Sequence, residues 1–149
     1  MEVFKICREK YSHSLHASGV SNRWNKKDEF VIYAGSSRSL STLEMVVHRS
    51  YINISSPYKL LIIGITDESL IKEIKISELP EHWKTLEAYL ELQEMGSKWC
   101  NSNESLVLKV PSAIVPQEYN YIINAKHPKF PTHVLLQEVD DFMWDKRLL

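Results

Sequence analysis

The segment that most constrains this fold is Tyr58-Lys59-Leu60-Leu61-Ile62-Ile63-Gly64-Ile65. Its apolar run, Leu60 to Ile65, is far short of the roughly 20 residues that a membrane span needs. Short, β-branched and bounded by Pro57, it reads as a buried strand. Phe30-Val31-Ile32-Tyr33-Ala34 repeats the pattern. Glu2 to Arg8, Ser69 to Ile76, Leu106 to Val110 and Thr132 to Trp144 read as further strands, six in all. Ser36 or Ser37 caps a helix carrying Leu40, Leu43, Val46, Val47 and Tyr51, which Pro57 ends. Pro80 opens a second helix of three to four turns, an amphipathic segment containing Trp83, Leu86, Tyr89, Leu90, Leu92, Met95 and Trp99. Residues 9 to 29 form a long polar loop. Pro111 to Pro131 holds four of the six prolines and reads as an ordered, irregular connection. With no repeat, linker or low-complexity tract, the chain is a single mixed α+β domain over residues 1–149.

Charge and glycine content narrow the function. Lys and Arg number 18 against 19 Asp and Glu, a formal net charge of −1. Such a chain has no bulk attraction for nucleic acid or an anionic membrane. It has four glycines, where average usage would give about ten. Gly19, Gly35, Gly64 and Gly96 stand too far apart to write any glycine-rich phosphate loop. A nucleotide bound here must be held by side chains. Cys7 and Cys100 match no zinc or disulfide-exchange spacing, which fits a reduced, cytoplasmic setting. Charges at Glu2, Lys5, Arg8, Glu9 and Lys10 interrupt any secretory apolar core. His13 and His16 have no carboxylate or thiol at ligand spacing, so no metal site is expected.

Glu44 is the most informative single residue. At 100° per residue it lies about 40° from Leu40, at the border of the apolar stripe. A carboxylate there needs compensation for its desolvation. It is a working group, a surface glutamate at the helix flank, or half of a structural ion pair. His48, one turn on, is placed to hydrogen-bond it. Arg23, in Arg23-Trp24-Asn25, offers a planar fork for phosphate oxygens, or else packs on Trp24. Tyr33 could stack on a flat heterocycle or fill the core. Ser112, between Pro111 and Pro116, is a fixed hydroxyl that orients a ligand or caps a turn, and no nucleophile elbow surrounds it.

Together these stretches resemble the RES domain family, the toxins of bacterial RES–Xre toxin–antitoxin pairs. The resemblance is carried by Arg23-Trp24-Asn25, by FVIYAGSSRSLSTLEMVVH (30–48), by LQEMGSKW (92–99), by LVLKVPSAIVPQEYNYIINAKHP (106–128) and by the ending DKRLL. It runs from about Val3 to the C-terminus. The arginine, glutamate and serine that name the family fall on Arg23, Glu44 and Ser112. The resemblance implies a split β-structure similar to the ADP-ribosyltransferase fold, with NAD as substrate, no metal, and an Xre-family antitoxin partner in a complex built around a dimer. It implies cleavage of the nicotinamide–ribose bond by hydrolysis or phosphorolysis, or ADP-ribosyl transfer to a protein. Glu44 would stabilise charge on the ribose, Arg23 hold the pyrophosphate or ribose end, Tyr33 stack near nicotinamide and Ser112 fix the ribose or amide. Lys5, Asn25 and His48 complete the expected NAD contacts.

The sequence also departs from the family pattern. Lys5 stands where a first-strand arginine is usual. Ser21-Asn22 and the Lys26–Asp28 run replace glycines around Arg23-Trp24-Asn25. A domain with weakened catalysis, acting as a binding module, is therefore the alternative.

Overall fold

The computed structural model describes residues 1–149 as a single mixed α+β domain around a seven-stranded sheet. The strands are β1 (Glu2–Arg8), β2 (Val31–Gly35), β3 (Tyr58–Ile65), β4 (Ile71–Glu73), β5 (Val107–Pro111), β6 (Tyr119–Asn124) and β7 (Val134–Phe142). Their order across the sheet is β4-β5-β6-β2-β1-β3-β7. All neighbours are antiparallel except β4 and β5. Three helices accompany them: α1 (Arg38–Val47), α2 (Tyr89–Ser102) and the single turn α3 (Phe130–His133).

The apolar run from Tyr58 to Ile65 is the buried strand β3, whose Leu61, Ile63 and Ile65 are almost wholly shielded from solvent. It pairs with β1 on one side and β7 on the other. The seventh strand, β6, lies inside the stretch expected to be irregular. Its prolines bracket Tyr119–Asn124 rather than occupy it, so the strand keeps every ladder donor. The Ser69–Ile76 strand shrinks to Ile71–Glu73. The second helix begins at Tyr89, and Trp83 packs into the core from the segment before it. The first helix ends at Val47, ten residues before Pro57.

One feature of the sheet creates the site. Pairing of β1 with β2 is confined to Phe4 opposite Gly35. Beyond that row the two strands part, and the sheet divides into a β4-β5-β6-β2 half and a β1-β3-β7 half. The split β-structure implied by the family resemblance is therefore present. Helix α1 lies over the junction. Ser37 caps it by accepting from the Leu40 N–H at 3.0 Å. Ser41 donates to the Phe4 carbonyl at 2.8 Å. A Cβ on Gly35 would sit 2.6 Å from the Ser41 hydroxyl, so glycine is what lets the helix settle there.

That seating rolls α1 away from the orientation the apolar stripe predicts. Leu40 and Ser41 are buried, with Glu44 and Met45 half-buried beside them. Leu43, Val47 and Tyr51 are exposed. The buried face centres about 70° from Leu40, nearly under Glu44. A small hydroxyl seated against glycine has displaced larger apolar residues from the contact.

Of the departures around Arg23-Trp24-Asn25, one has a backbone consequence. Asp28 takes φ 66°, in the left-handed region, whereas Ser21 and Asn22 do not. The Asp28 side chain is exposed and bonds to nothing. Asp28→Gly is therefore expected to raise stability by about 0.5–1 kcal/mol, the strain relieved less the extra unfolded-state entropy of glycine. A urea midpoint that falls in this variant would contradict that account.

Candidate active site

The parting of β1 and β2 opens a cleft of about 480 Å³, within the range usual for small-molecule sites. Phe4, Lys5 and Cys7 of β1 form one wall, Tyr33 and Gly35 of β2 the other, and Glu44 of α1 and His48 at its C-cap lie along it.

Glu44 is held from below. Its Oε1 accepts from the Ser112 hydroxyl at 2.8 Å and from the Asn120 amide at 2.6 Å. The Ser112 oxygen also accepts from the Ile114 and Val115 N–H groups, at 3.1 and 3.2 Å. A hydroxyl has one proton and two lone pairs. With both lone pairs occupied, the Ser112 proton must point at Glu44. Oε1 is thus an acceptor twice over, and Oε2 is the oxygen left for the cleft. Glu44 makes no ion pair with any Lys or Arg, which removes the structural ion-pair reading. The expected hydrogen bond from His48 does not form: His48 ends α1 and lines the cleft, but Glu44's partners are Ser112 and Asn120.

Ser112 is fully buried and reaches the cleft only through Glu44. Asn120 lines the cleft itself. Sequence reasoning gave Asn120 no role. Its position opposite Gly35 on β6 brings it there. The two supports should separate by measurement. Ser112→Ala strands two backbone N–H groups and is expected to cost about 2–4 kcal/mol. Asn120→Ala strands none and is expected to cost about 1 kcal/mol, by chemical denaturation. Equal costs would mean that the Ser112 oxygen is not the acceptor for Ile114 and Val115.

Tyr33 lies against the cleft with its hydroxyl already committed. It donates to Asn25 Oδ1 at 2.6 Å and accepts from the Trp24 N–H at 3.0 Å. Burial pushes its ionisation well above the ordinary tyrosine range, with the Trp24 N–H opposing. Only its ring is free for a ligand. Asn25 is buried and satisfied on both sides, its amide donating to the Val20 and Lys26 carbonyls at 2.9 and 3.0 Å. It therefore anchors the loop rather than facing the cleft.

Arg23, like Asn25 and Ser112, is an expected site residue that does not line the cleft. Its guanidinium donates to the Trp83 carbonyl at 2.9 Å and stacks 4.7 Å over the Tyr89 ring. It ties the Arg23-Trp24-Asn25 loop to the entry of α2. Lys5 is half-buried in the cleft without a hydrogen bond or ion pair. Burial lowers its ammonium below the ordinary lysine range, with Cys7 opposing. Desolvation likewise raises the Cys7 thiol, which is free, as is Cys100. No group of three or more His, Cys, Asp or Glu is placed to hold a metal ion. No helix is long and apolar enough to cross a membrane.

A family model described as the RES domain matches residues 3–145. The chain belongs to the RES domain family. This RES domain is 32% identical over 152 residues to a protein of Yersinia enterocolitica serotype O:8 named Toxin Res, covering 99% of both chains. It is 34% identical over 129 residues to the Prs ADP-ribosylating toxin of a Sphingobium species, covering 85% of this chain and 80% of that one. Its fold matches a chain in the crystal structure of the MbcT–MbcA toxin–antitoxin complex of M. tuberculosis. The TM-score is 0.77 at 15% identity, over 95% of this chain and 84% of that chain. The kinship of the RES domain is therefore with toxins.

Proposed function

We propose that this RES domain is the toxin of a toxin–antitoxin pair and cleaves the nicotinamide–ribose bond of NAD. One observation carries the reading: a carboxylate, Glu44, is fixed through one oxygen and presents the other to a nucleotide-sized cleft. When the bond breaks, its electron pair leaves on the nicotinamide nitrogen and cancels the pyridinium charge. Positive charge develops on the ribose, an oxocarbenium-like transition state. Oε2 of Glu44 faces that charge without having to reorganise, because Ser112 and Asn120 hold its companion oxygen. The same oxygen takes the proton of the attacking water or phosphate.

In this reading Lys5 supplies the cation for the pyrophosphate, as a point charge rather than a fork. The Tyr33 ring forms a wall for the nicotinamide, and His48 lines the cleft beside Glu44. Arg23 and Asn25 act one step away, by fixing the loop that holds Tyr33. Ser112 acts through Glu44. An Xre-family antitoxin would silence the domain by covering the cleft, in an assembly built around a dimer.

A second reading, ADP-ribosyl transfer to a protein, is favoured by the name of the Sphingobium relative. It uses the same bond and the same carboxylate, with a protein side chain in place of water. Incubating the purified chain with NAD, with and without phosphate, tests both. Nicotinamide release with free ADP-ribose indicates hydrolysis, and a phosphorylated ADP-ribose indicates phosphorolysis. Adenine label carried onto an added protein indicates transfer. A folded sample that releases no nicotinamide under any of these conditions overturns the proposal.

A further inference from the structure

Tyr11 and His16 belong to the polar loop before Arg23-Trp24-Asn25, and the reaction chemistry gives them no task. Their rings stack nearly parallel, 9° apart, with centroids 5.7 Å from each other. Tyr11 is 48% exposed. Both line the cleft that Glu44 and Lys5 line. The loop around them is well tied: Ser12 donates to the Glu9 carbonyl, Ser18 accepts from the Val20 N–H, and Asn25 bonds on both sides. The Tyr11 hydroxyl and both His16 nitrogens bond to nothing in the protein. A flat, ordered aromatic surface with free polar edges thus stands in the cleft wall.

Its position is also informative. Glu44 sits over the row formed by Phe4, Gly35 and Asn120, since Asn120 pairs with Gly35 and Gly35 with Phe4. From that row β1 runs four residues to Arg8, about 13 Å at strand spacing, and Tyr11 follows three residues on. The stacked pair therefore belongs to the end of the cleft away from Glu44. Lys5, an ammonium with no partner, comes between them in chain order.

We infer that the Tyr11–His16 pair seats the purine base of a dinucleotide whose other end lies at Glu44. The inference rests on the NAD reading and deepens it: the cleft selects a dinucleotide over a mononucleotide. Stacking on an aromatic side chain is sequence-tolerant and substantial, so loss of the platform should weaken binding about five- to hundredfold.

Equilibrium calorimetry with two probes tests this without NAD turnover. ADP-ribose carries the adenine and lacks nicotinamide, whereas nicotinamide mononucleotide carries nicotinamide and lacks adenine. Tyr11→Ala and His16→Ala should each lower ADP-ribose affinity at least about fivefold. Affinity for the mononucleotide should move less than about twofold. His16→Phe, which keeps a flat ring, should retain most of the ADP-ribose affinity. Equal losses for both probes, or no loss for ADP-ribose, overturn the inference. Nicotinamide release measured on the same samples separates the two proposals. Release with platform-independent ADP-ribose binding leaves cleavage standing and removes the base seat. Platform-dependent binding with no release does the reverse.

Discussion

Glu44→Gln is expected to lower nicotinamide release from NAD by about two to three orders of magnitude while leaving the fold intact. Glutamine has nearly the same shape, and its carbonyl oxygen can replace Oε1 as acceptor for Ser112 and Asn120, which donate at 2.8 and 2.6 Å. Both supporting donors then stay satisfied, so stability should change by no more than about 1 kcal/mol. The atom that changes chemistry is the one facing the cleft. A neutral amide replaces an oxygen whose negative charge opposes the cation forming on ribose, and it cannot take a proton from the nucleophile. Steady-state release of nicotinamide, alongside a thermal melt of the same sample, checks both halves. Activity within tenfold of wild type would show that Glu44 is not the electrostatic partner of the reaction. A large loss of stability would show that Oε1 and its two donors are not arranged as described.

How much of this was legible in the sequence depends on the kind of contact involved. The buried strands β2 and β3 are visible because their signal is local: short β-branched runs between breakers. Strand β6 was hidden by its neighbours. Pro111, Pro116 and Pro128 lie outside Tyr119–Asn124, yet they dominate the composition of any window that contains it. The roll of α1 was hidden for a different reason. Leu43 and Val47 are stronger apolar signals than Ser41, but a hydroxyl that bonds the Phe4 carbonyl and fits against Gly35 decides the contact. The same roll puts Glu44 near the centre of the buried face, over the cleft, rather than at the border of the apolar stripe.

Within the site, four residues that the sequence singled out, Glu44, Tyr33, Lys5 and His48, line one cleft. Ser112 and Arg23, expected in the site from the family resemblance, do not line the cleft. An arginine that bonds backbone carbonyls, as Arg23 does with Trp83, leaves no pattern in the partner's sequence. Asn120 could be found only through the pairing of β6 with β2. Its sole sequence signal is membership of the NYIIN block.

Gly96→Ala is expected to destabilise the domain by about 3 kcal/mol or more, although alanine is the better helix former. In an open helix the exchange would gain about 1 kcal/mol from backbone entropy. Here α2 passes so close to the Arg23-Trp24-Asn25 loop that a Cβ on Gly96 would lie 1.7 Å from the Trp24 carbonyl oxygen and 2.7 Å from its carbonyl carbon. Both are backbone atoms in a buried residue, so neither can swing aside, and overpacking outweighs propensity. The loop cannot move as a whole without further loss. Gln93 donates to the Asn22 carbonyl at 2.9 Å, Ser97 to Glu29 at 2.6 Å, and Arg23 to the Trp83 carbonyl at 2.9 Å. The midpoint of thermal unfolding should fall by about 10 °C for a chain of this size. The damage should also reach the cleft, because the Trp24 N–H donates to the Tyr33 hydroxyl and displacing Trp24 shifts that ring. NAD turnover, measured well below the unfolding transition, should therefore fall along with stability. A Gly96→Ala protein that melts higher than wild type would show that propensity prevails, and that the glycine is not there to let helix and loop meet.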